Sequence, residues 1–359
     1  MSKYNFLNLV LLFLLSCVNL QWEVIMIDLE FEEAIKECAK YKKNLLLGNG
    51  FSRAYNDTAF NYKHLLEASK LPQKLKYLFE IFKTEDYERV INNLETLEQI
   101  FNNKENIVKE LRPIEELIKR DLVRTITNKH PTSQYEIEPE RKAATLSFLS
   151  KFENIFTVNY DLLLYWLIIF NIKDCDKFWG DMNDGFSENS LKDCIWHTDR
   201  LMVIPNVFYL HGGLHLFNDE RDTYKIKYDN ENGVSLLKQI KAYIKYNISP
   251  LVITEGNSID KKSWIEQNNY LQYCYNKLSE IEGCLFIHGH SLDETDQHIF
   301  DAINKNFKIK KIYISVHKDF ENLDDKKELA KKRFCYKSHI LHYYDAESTN
   351  IWKLNNENS

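Results

Sequence analysis

Five short apolar runs, four of which end in a polar motif, constrain this chain more than any other feature of its sequence. They are Asn44–Leu47, Ile155–Val158, Val207–Leu210, Cys284–His288 and Ile312–Val316, and Ser249–Gly256 is a possible sixth. Runs of this length between turn residues are typical of strands that are buried on both faces. Helix-period segments separate them. The sequence therefore predicts an α/β fold with a doubly wound, mostly parallel sheet.

The longest segment without a strand signal is helical. From about Tyr62 to Ile126, apolar residues such as Ile91 and Leu94 recur at three- and four-residue steps, with Pro72 and Pro113 as breaks. Another helix is predicted over Ser263–Ile281, whereas residues 171–206 are polar and irregular. We divide the chain into an apolar leader (1–25), the start of the α/β domain (26–61), a helical insertion (62–150), the remainder of the α/β domain (151–345) and a polar tail (346–359).

The first 25 residues require a separate interpretation. Phe6–Val18 is apolar, is shorter than a membrane span, and resembles the apolar part of a secretory signal. From Met26 onward the sequence is typical of a soluble start, with an amphipathic helix around Phe31 that leads into the first strand. We expect the functional chain to begin near Met26 in the cytoplasm. A weak membrane anchor formed by residues 1–25 is the alternative.

Composition excludes several classes of protein. A net charge of −6 and a pI of about 6.0 provide no basic surface for nucleic acid. The seven cysteines are dispersed and form no C-x-x-C pair, which argues against a disulfide framework and a zinc ribbon. We therefore expect reduced thiols in a soluble protein with no stable membrane span, no nucleic-acid partner and no bound metal.

The first motif, Gly48-Asn49-Gly50-Phe51-Ser52, follows the first predicted strand. Glycine allows left-handed backbone and lets an anion approach the main-chain N–H groups. The third glycine of a dinucleotide-binding G-x-G-x-x-G loop is replaced by Arg53. The pattern thus predicts either a phosphate-binding loop or a plain tight turn.

The second and third motifs carry candidate catalytic side chains. If the second strand continues, Thr157, Asn159 and Asp161 lie on one face, where they can hold a ribose hydroxyl and a carboxamide. Capping of the next helix is the alternative, and it suits Asp161 better than Asn159.

His211 ends the third strand before two glycines. A histidine there is a natural general base near neutral pH, with a structural role as the alternative.

The fourth motif lies after the late strand and contains Gly289 and Ser291. Ser291 and Glu294 have the spacing of a helix capping box. The nearby histidines and carboxylates could instead be a metal cluster, comprising His288, His290, His298, Asp293 and Asp296. We favour strand-end histidines followed by a capped helix.

In this order the four motifs resemble those of the sirtuin-like superfamily of NAD-consuming proteins, above all its bacterial defence and uncharacterised branch. The family pattern is a Gly-Ala-Gly-x-Ser loop, then Thr-x-Asn-x-Asp, Leu-His-Gly and a late Gly-x-Ser. Here these stand as Gly48–Ser52, Thr157–Asp161, Leu210–Gly212 and Gly289–Ser291. The resemblance covers about residues 40–60, 150–165, 205–215 and 250–320, and it does not include the helical block.

The resemblance implies a fold and a set of roles. It implies a Rossmann-type sheet, with Asn159 at the nicotinamide ribose, Asp161 at the carboxamide and His211 as general base. The first loop would hold the NAD diphosphate, and the late motif would face the adenosine half. The implied NAD-binding residues are Gly48, Asn49, Gly50, Phe51, Ser52, Arg53, Thr157, Gly289 and Ser291.

Two departures from the deacylase branch of the superfamily argue against peptide deacylation. No cysteine occurs between Cys194 and Cys274, so the usual zinc module is absent, and Arg53-Ala54-Tyr55 replaces the family's Pro-Asp-Phe-Arg stretch. We expect an NAD glycohydrolase, with NAD as substrate and no zinc, that serves as an anti-phage effector in bacteria. The helical block would mediate self-assembly or bind a trigger protein. The alternatives are an NAD-dependent deacylase or ADP-ribosyl transferase, and a non-catalytic nucleotide-binding module.

Overall fold

A computed structural model describes residues 29–173, 180, 182–188, 193–196, 205–218, 222–226, 235–317 and 322–354. The predicted leader, 1–25, and the last five residues lie outside the described chain. No helix in the described part is both long and apolar enough to cross a membrane.

The described chain is built around a sheet of six parallel strands with helices on both sides. In chain order the strands are β1 (Lys43–Leu47), β2 (Asn154–Thr157), β3 (Ser187–Glu188), β4 (Asp193–Ile195), β5 (Val207–Tyr209), β6 (Leu216–Asn218), β7 (Thr223–Ile226), β8 (Gly283–His288), β9 (Ile309–Val316) and β10 (Leu341–Asp345). The order across the large sheet is β10–β9–β8–β1–β2–β5, and every neighbouring pair is parallel. This confirms the predicted doubly wound α/β fold.

The strand order identifies one special position in the sheet. After β1 the chain adds β2 and β5 on one side, and it then crosses over to add β8, β9 and β10 on the other side. The loops after β1 and β8 consequently leave the sheet at the point where the direction of winding reverses. In open parallel sheets, a crevice at this point is the usual place for a ligand.

Five strands were predicted correctly, and the possible sixth was wrong. Within Ser249–Gly256, Val252 makes only an isolated bridge with Gly212. The sixth strand of the large sheet is β10. A smaller antiparallel sheet, in the order β3–β4–β7–β6, was also missed. Two of its strands, β3 and β4, fall within residues 171–206, and with only two and three residues they are too short to give a periodic signal.

Helices occupy most of the remaining described chain. They are α1 (Phe31–Glu37), α2 (Asn49–Tyr55), α3 (Asp57–Phe60), α4 (Tyr62–Ala68), α5 (Gln73–Ile81), α6 (Tyr87–Ile100), α7 (Glu105–Lys129), α8 (Pro139–Leu149), α9 (Leu163–Lys173), α10 (Leu236–Lys245), α11 (Ser258–Gln267), α12 (Asn269–Glu280), α13 (Gln297–Lys305) and α14 (Leu323–Arg333). Helices α4 to α8 occupy residues 62–149, the segment that the sequence analysis predicted as a helical block.

Two predicted helix boundaries differ from the structure. Pro113 lies inside α7 and does not end it. The carbonyl group that this proline leaves without a helical donor belongs to Lys109, which is exposed and can be hydrated. The helix predicted over Ser263–Ile281 is two helices, because the side chain of Asn268 accepts the Leu271 N–H and so starts α12.

Candidate functional site

A cleft of about 780 Å³ lies at the carboxyl ends of β1, β2, β5 and β8. Each of the four motifs contributes to its lining, through residues such as Gly48, Asn159, His211 and Gly289. The volume falls within the roughly 300–1,000 Å³ that is usual for small-molecule sites. The topology thus brings together motifs that are far apart in the sequence, from Gly48 to Gly289.

Glycines allow two loops to touch in the floor of this cleft. The Gly50 N–H donates to the Gly289 carbonyl oxygen at 2.7 Å, and the Gly48 N–H donates to the His288 carbonyl oxygen at 2.9 Å. A Cβ atom on Gly48 would lie 2.6 Å from the Cα of His290, and Gly289 has a φ of +67°. These glycines are therefore required by the contact between the loops after β1 and β8. Because both N–H groups are already bonded, the expectation that they bind a diphosphate is corrected.

Three residues of the expected NAD-binding set lie beneath the cleft and do not line it. Ser52 is fully buried and donates its hydroxyl to Asp161. Phe51 packs against Trp352, with 5.2 Å between ring centroids. The Thr157 hydroxyl accepts the Asn159 N–H at 3.0 Å. In this structure the three residues support the side chains above them, so the expectation of direct contact with the nucleotide is corrected.

The remaining residues of the first loop do reach the cleft. Asn49 lines the cleft and donates its side-chain amide to the Phe60 carbonyl oxygen at 3.0 Å, which joins α2 to the end of α3. Arg53 also lines the cleft, where its Nε lies 2.6 Å from Asp57 Oδ1. It is a cation of the cleft wall, and it shares its charge with a neighbouring carboxylate.

Asn159 and Asp161 hold the first loop in place. The side-chain amide of Asn159 donates to the Gly48 carbonyl oxygen and to Ser52 Oγ, each at 3.0 Å. Within the described chain this leaves the amide oxygen, Oδ1, for a molecule in the cleft. Asp161 Oδ1 accepts the Leu163 N–H at 2.8 Å at the start of α9, a bond that is compatible with the alternative of helix capping. Burial raises the pKa of the Asp161 carboxyl group.

The late motif is arranged differently from the predicted capping box. Ser291 is exposed and lines the cleft, but it caps no helix. The following turn, Glu294–Asp296, is a 3₁₀ helix that begins at Asp293, whose side chain accepts the Thr295 N–H at 3.1 Å. A carboxylate two residues before the N–H makes this bond locally, and Ser291 lies too early in the chain to compete.

His211 lies in a cluster of histidines at one end of the cleft. It lines the cleft although it is only 1% exposed. Its Nε2 lies 3.1 Å from His298 Nε2 and 3.8 Å from Asp296 Oδ1. Burial lowers the pKa of His211 well below its usual value, and burial lowers that of His298 to about 3. Both rings are therefore neutral at pH 7.

A fully buried lysine connects this cluster to the helical block. The Nζ of Lys261 lies 2.8 Å from Asp296 Oδ1 and 2.6 Å from Oε2 of Glu88, a residue of α6. Burial opposes the charge of the Lys261 ammonium group, but the two carboxylates outweigh it and raise the pKa of Lys261. Glu88 Oε1 also accepts the Tyr160 hydroxyl at 2.6 Å. The helical block thus contributes a carboxylate to the wall of the cleft.

The end of the described chain closes another wall of the cleft. The Trp352 indole N–H donates to the Phe51 carbonyl oxygen at 2.9 Å, and its main-chain N–H donates to Thr145 Oγ1 at 2.9 Å. Lys353, which follows Trp352, and Arg141 of α8 both line the cleft. Residues 346–353 therefore belong to the site, which corrects the expectation of a polar tail that begins at residue 346.

The comparison with known families covers almost the whole of this architecture. A family model described as a domain of unknown function, DUF4917, matches residues 45–352. The chain belongs to the DUF4917 family. The match runs from β1 to Trp352, so the DUF4917 region includes the four motifs, the helical block and the wall around Trp352. No curated protein matches the chain.

Only Asp296 and His298 of the metal cluster suggested by the sequence belong to the group that the structure brings together, and His211 is its third member. His211, Asp296 and His298 place one potential ligand atom each within 4.8 Å of one another, a set that transition metals can use. His288 bonds instead to the Tyr344 hydroxyl at 2.9 Å, and Asp293 pairs with Arg89. Both oxygens of Asp296 already have neighbours: Lys261 Nζ lies 2.8 Å from Oδ1, and His290 Nε2 lies 3.3 Å from Oδ2. Because the carboxylate is engaged on both sides, the residues fit a divalent ion poorly.

The sequence interpretation missed Glu88 and Lys261. Glu88 lies on the polar side of a helical stripe, and Lys261 lies within a segment rich in polar residues. Neither position follows a predicted strand or belongs to a motif. Their only signal is tertiary, since a buried lysine between two carboxylates can be recognised only once α6, α11 and the loop after β8 are packed together.

Proposed function

We propose that this protein hydrolyses the N-glycosyl bond of NAD, or of a closely related nucleotide, to release nicotinamide and ADP-ribose. One observation carries the proposal. Asn159 and His211, at the ends of the neighbouring strands β2 and β5, converge on a single cleft at the point where the sheet reverses its winding. The motif resemblance that implies NAD includes the same two residues among its four motifs.

The chemistry of the reaction matches the groups at the histidine end of the cleft. The bond between C1′ and the nicotinamide nitrogen breaks, its electron pair goes to nicotinamide, and the sugar becomes oxocarbenium-like. A water oxygen adds to C1′, and the proton that it loses goes to a base. Because Glu88 and Asp296 carry two negative charges against the single positive charge of Lys261, this end favours a developing cation.

His211 is the proposed base, and Asn159 is the proposed ribose ligand. The His211 ring is neutral, so one of its nitrogens can accept a proton. Asn159 uses its amide nitrogen to hold the first loop and can present its amide oxygen to a sugar hydroxyl. A histidine with a low pKa accepts a proton only weakly. The negative charge of the nearby Asp296 offsets this, because it favours the protonated form of His211.

Charged side chains, and not loop amides, would bind the diphosphate. Arg53, Arg141 and Lys353 line the cleft beside Trp352, whereas the N–H groups of Gly48 and Gly50 are already bonded. An arginine pairs well with two phosphate oxygens. The nucleotide would therefore lie with its phosphates near the Trp352 wall and its nicotinamide ribose near His211.

Incubation with NAD tests the proposal directly. Purified wild-type protein, His211→Ala and Asn159→Ala are mixed with NAD, and nicotinamide release is followed by chromatography while NAD binding is measured by calorimetry. His339→Ala, which changes an exposed histidine, is the matched control. Nicotinamide release by the wild type and His339→Ala, but not by His211→Ala or Asn159→Ala, supports the proposal. Absence of both NAD binding and release in the wild type contradicts it and favours a module that uses another ligand.

Two further arms separate the related functions. An acetyl-lysine peptide added to the reaction yields deacetylated peptide only if the protein is a deacylase. Expression of the wild type in a bacterial host, with His211→Ala as control, tests the proposed anti-phage role, whose support is the motif resemblance. We expect cellular NAD to fall in cells that express the wild type and to stay constant in cells that express His211→Ala. Unchanged NAD before and after phage challenge would contradict that role.

A further inference from the structure

We propose that His298 is a positioning residue that sets the tautomer of His211, so that the proton acceptor of the cleft is a pair of histidines. The role of the pair in catalysis rests on the proposed function. The tautomer of His211 can be determined whether or not that function is correct. His298 lies in the first turn of α13 and belongs to none of the roles that the motif resemblance implied.

The distance between the rings requires a shared proton. His211 Nε2 and His298 Nε2 are 3.1 Å apart, and both side chains are buried. At this separation one nitrogen donates and the other accepts. Only two arrangements of neutral rings are possible, and they leave opposite states at the second nitrogen of His211, Nδ1. If Nε2 carries the proton, Nδ1 is basic, and if Nε2 accepts, Nδ1 carries the proton.

One neighbour favours the proton on His211 Nε2, and a second is compatible with it. The carboxylate of Asp296 lies 3.8 Å from this nitrogen, and its negative charge attracts a proton there. Ser258 Oγ accepts the main-chain N–H of His298 at 2.6 Å and lies 3.2 Å from His298 Nδ1. Because a hydroxyl oxygen has two lone pairs, Ser258 can also accept from Nδ1. His298 Nε2 is then bare and accepts the proton of His211 Nε2.

This arrangement has a direct chemical consequence. His211 Nδ1 is the nitrogen that remains for a molecule in the cleft, and it takes the proton from the attacking water. As it does so, the Nε2 proton can move toward His298, and the positive charge is spread over two rings beside Asp296. The charged and titratable groups around the pair are Asp296, Lys261, Lys262 and His290. Two of them, Asp296 and Lys261, are held together as an ion pair.

Nitrogen-15 NMR of histidine-labelled protein tests the tautomer without any substrate. The His211 signals are assigned by their loss in His211→Ala. We expect His211 to be protonated on Nε2 in the wild type and in Gln297→Ala, the matched control on the same turn of α13. In His298→Ala we expect a mixture of tautomers. Protonation of His211 on Nδ1 in the wild type would overturn the proposal.

Kinetics test whether the pair matters for the reaction. We expect His298→Ala to lower kcat by at least about tenfold while KM changes little, since an incorrect histidine tautomer can cost up to about 10⁴ in kcat. His298→Gln should restore part of the rate, because its amide oxygen can accept from His211 Nε2. The pH dependence of kcat should also shift in His298→Ala. An unchanged kcat and pH profile in that variant would overturn the positioning role.

The outcomes separate this inference from the proposed function. If the wild type neither binds nor cleaves NAD, the proposed function fails, and the NMR measurement still decides the pairing. If purified protein holds one equivalent of a transition metal that His298→Ala loses, both Nε2 atoms are ligands. That result would overturn the shared proton.

Discussion

The Gly50 N–H donates to the carbonyl oxygen of Gly289 across 2.7 Å, and this bond joins the loops after β1 and β8 at the reversal of the sheet. The two loops are so close that a Cβ atom at Gly48, Gly50 or Gly289 would collide with the facing loop. The glycines of the first and fourth motifs are thus explained by each other, and together they form the floor between the histidine end of the cleft and the wall around Trp352.

Substitution of Gly289 should destabilise the protein strongly. In Gly289→Ala the new Cβ would lie 2.7 Å from Phe51 N and 2.8 Å from Gly50 Cα, at a φ of +67°. We expect a loss of about 3 kcal/mol or more in the free energy of unfolding, measured with urea. Gly180→Ala is the control, because Gly180 has a φ of +97° but no atom within 4 Å of the added Cβ. It should lose only about 1 kcal/mol. Equal losses would show that the loop contact is unimportant.

Asn159→Asp should separate catalysis from stability. The variant keeps the size of the side chain but removes the donors to Gly48 and Ser52. We expect nicotinamide release to fall by about 100-fold or more, with a stability cost of about 1–2 kcal/mol. Asn154→Asp removes a comparable bond, to Asn44, at the other end of β2. This control should lose similar stability and keep its activity, and a parallel loss of activity in both variants would argue against a role for Asn159 in the reaction.

Glu88→Gln should reduce activity although Glu88 lies in the helical block. The substitution changes the charge of the buried trio formed by Glu88, Lys261 and Asp296 from −1 to 0, which weakens the stabilisation of a cationic transition state. We expect kcat to fall by about tenfold. Glu85→Gln changes an exposed carboxylate nearby and should have no effect. Full activity in Glu88→Gln would show that the helical block contributes only to folding.

The carboxyl group of Asp86 should make stability depend on pH. Burial, followed by the nearby Glu88, raises the pKa of Asp86 to about 7. The folded state therefore prefers the protonated form, and the stability that this provides is present below about pH 4 and is lost as the pH rises through 7. Asp86→Asn retains the cap of α6 without a charge.

The measurement for Asp86 is the difference in unfolding free energy between Asp86→Asn and the wild type. It should grow in favour of the variant between about pH 4 and pH 7, by about 1.4 kcal/mol for each unit of pKa shift. Comparison of the two proteins at each pH cancels the contribution of the buried histidines, whose pKa values are lowered and which destabilise the fold in acid. A constant difference would show that Asp86 has an ordinary pKa.

Removal of metal should leave the protein unchanged. Lys261 supplies the cation beside Asp296, so we expect the same melting temperature and the same nicotinamide release before and after dialysis against EDTA. Elemental analysis of the purified protein provides the check. Activity that is lost in EDTA and restored by a transition metal would favour the His211, Asp296 and His298 set as a metal site.

Much of the site was predictable because its residues follow strands. Parallel strands end at the same edge of a sheet, so the apolar runs and the motifs after them were enough to place Asn159, His211 and Gly289 together. The same reasoning failed for Ser52 and Thr157. Both belong to a motif, but the packing turns their side chains toward Asp161 and the Asn159 main chain and away from the cleft.

The sequence by itself determined the α/β class, the parallel strands and the edge of the sheet where the cleft lies, because apolar runs and turn residues act locally. Only the tertiary structure decided what each polar group does there. Glu88 and Lys261 lie 173 residues apart and become partners through burial. His211, which follows β5, is paired with His298 in the first turn of α13, 87 residues further along the chain. Such pairings depend on the distances between elements, and no local pattern of residues records those distances.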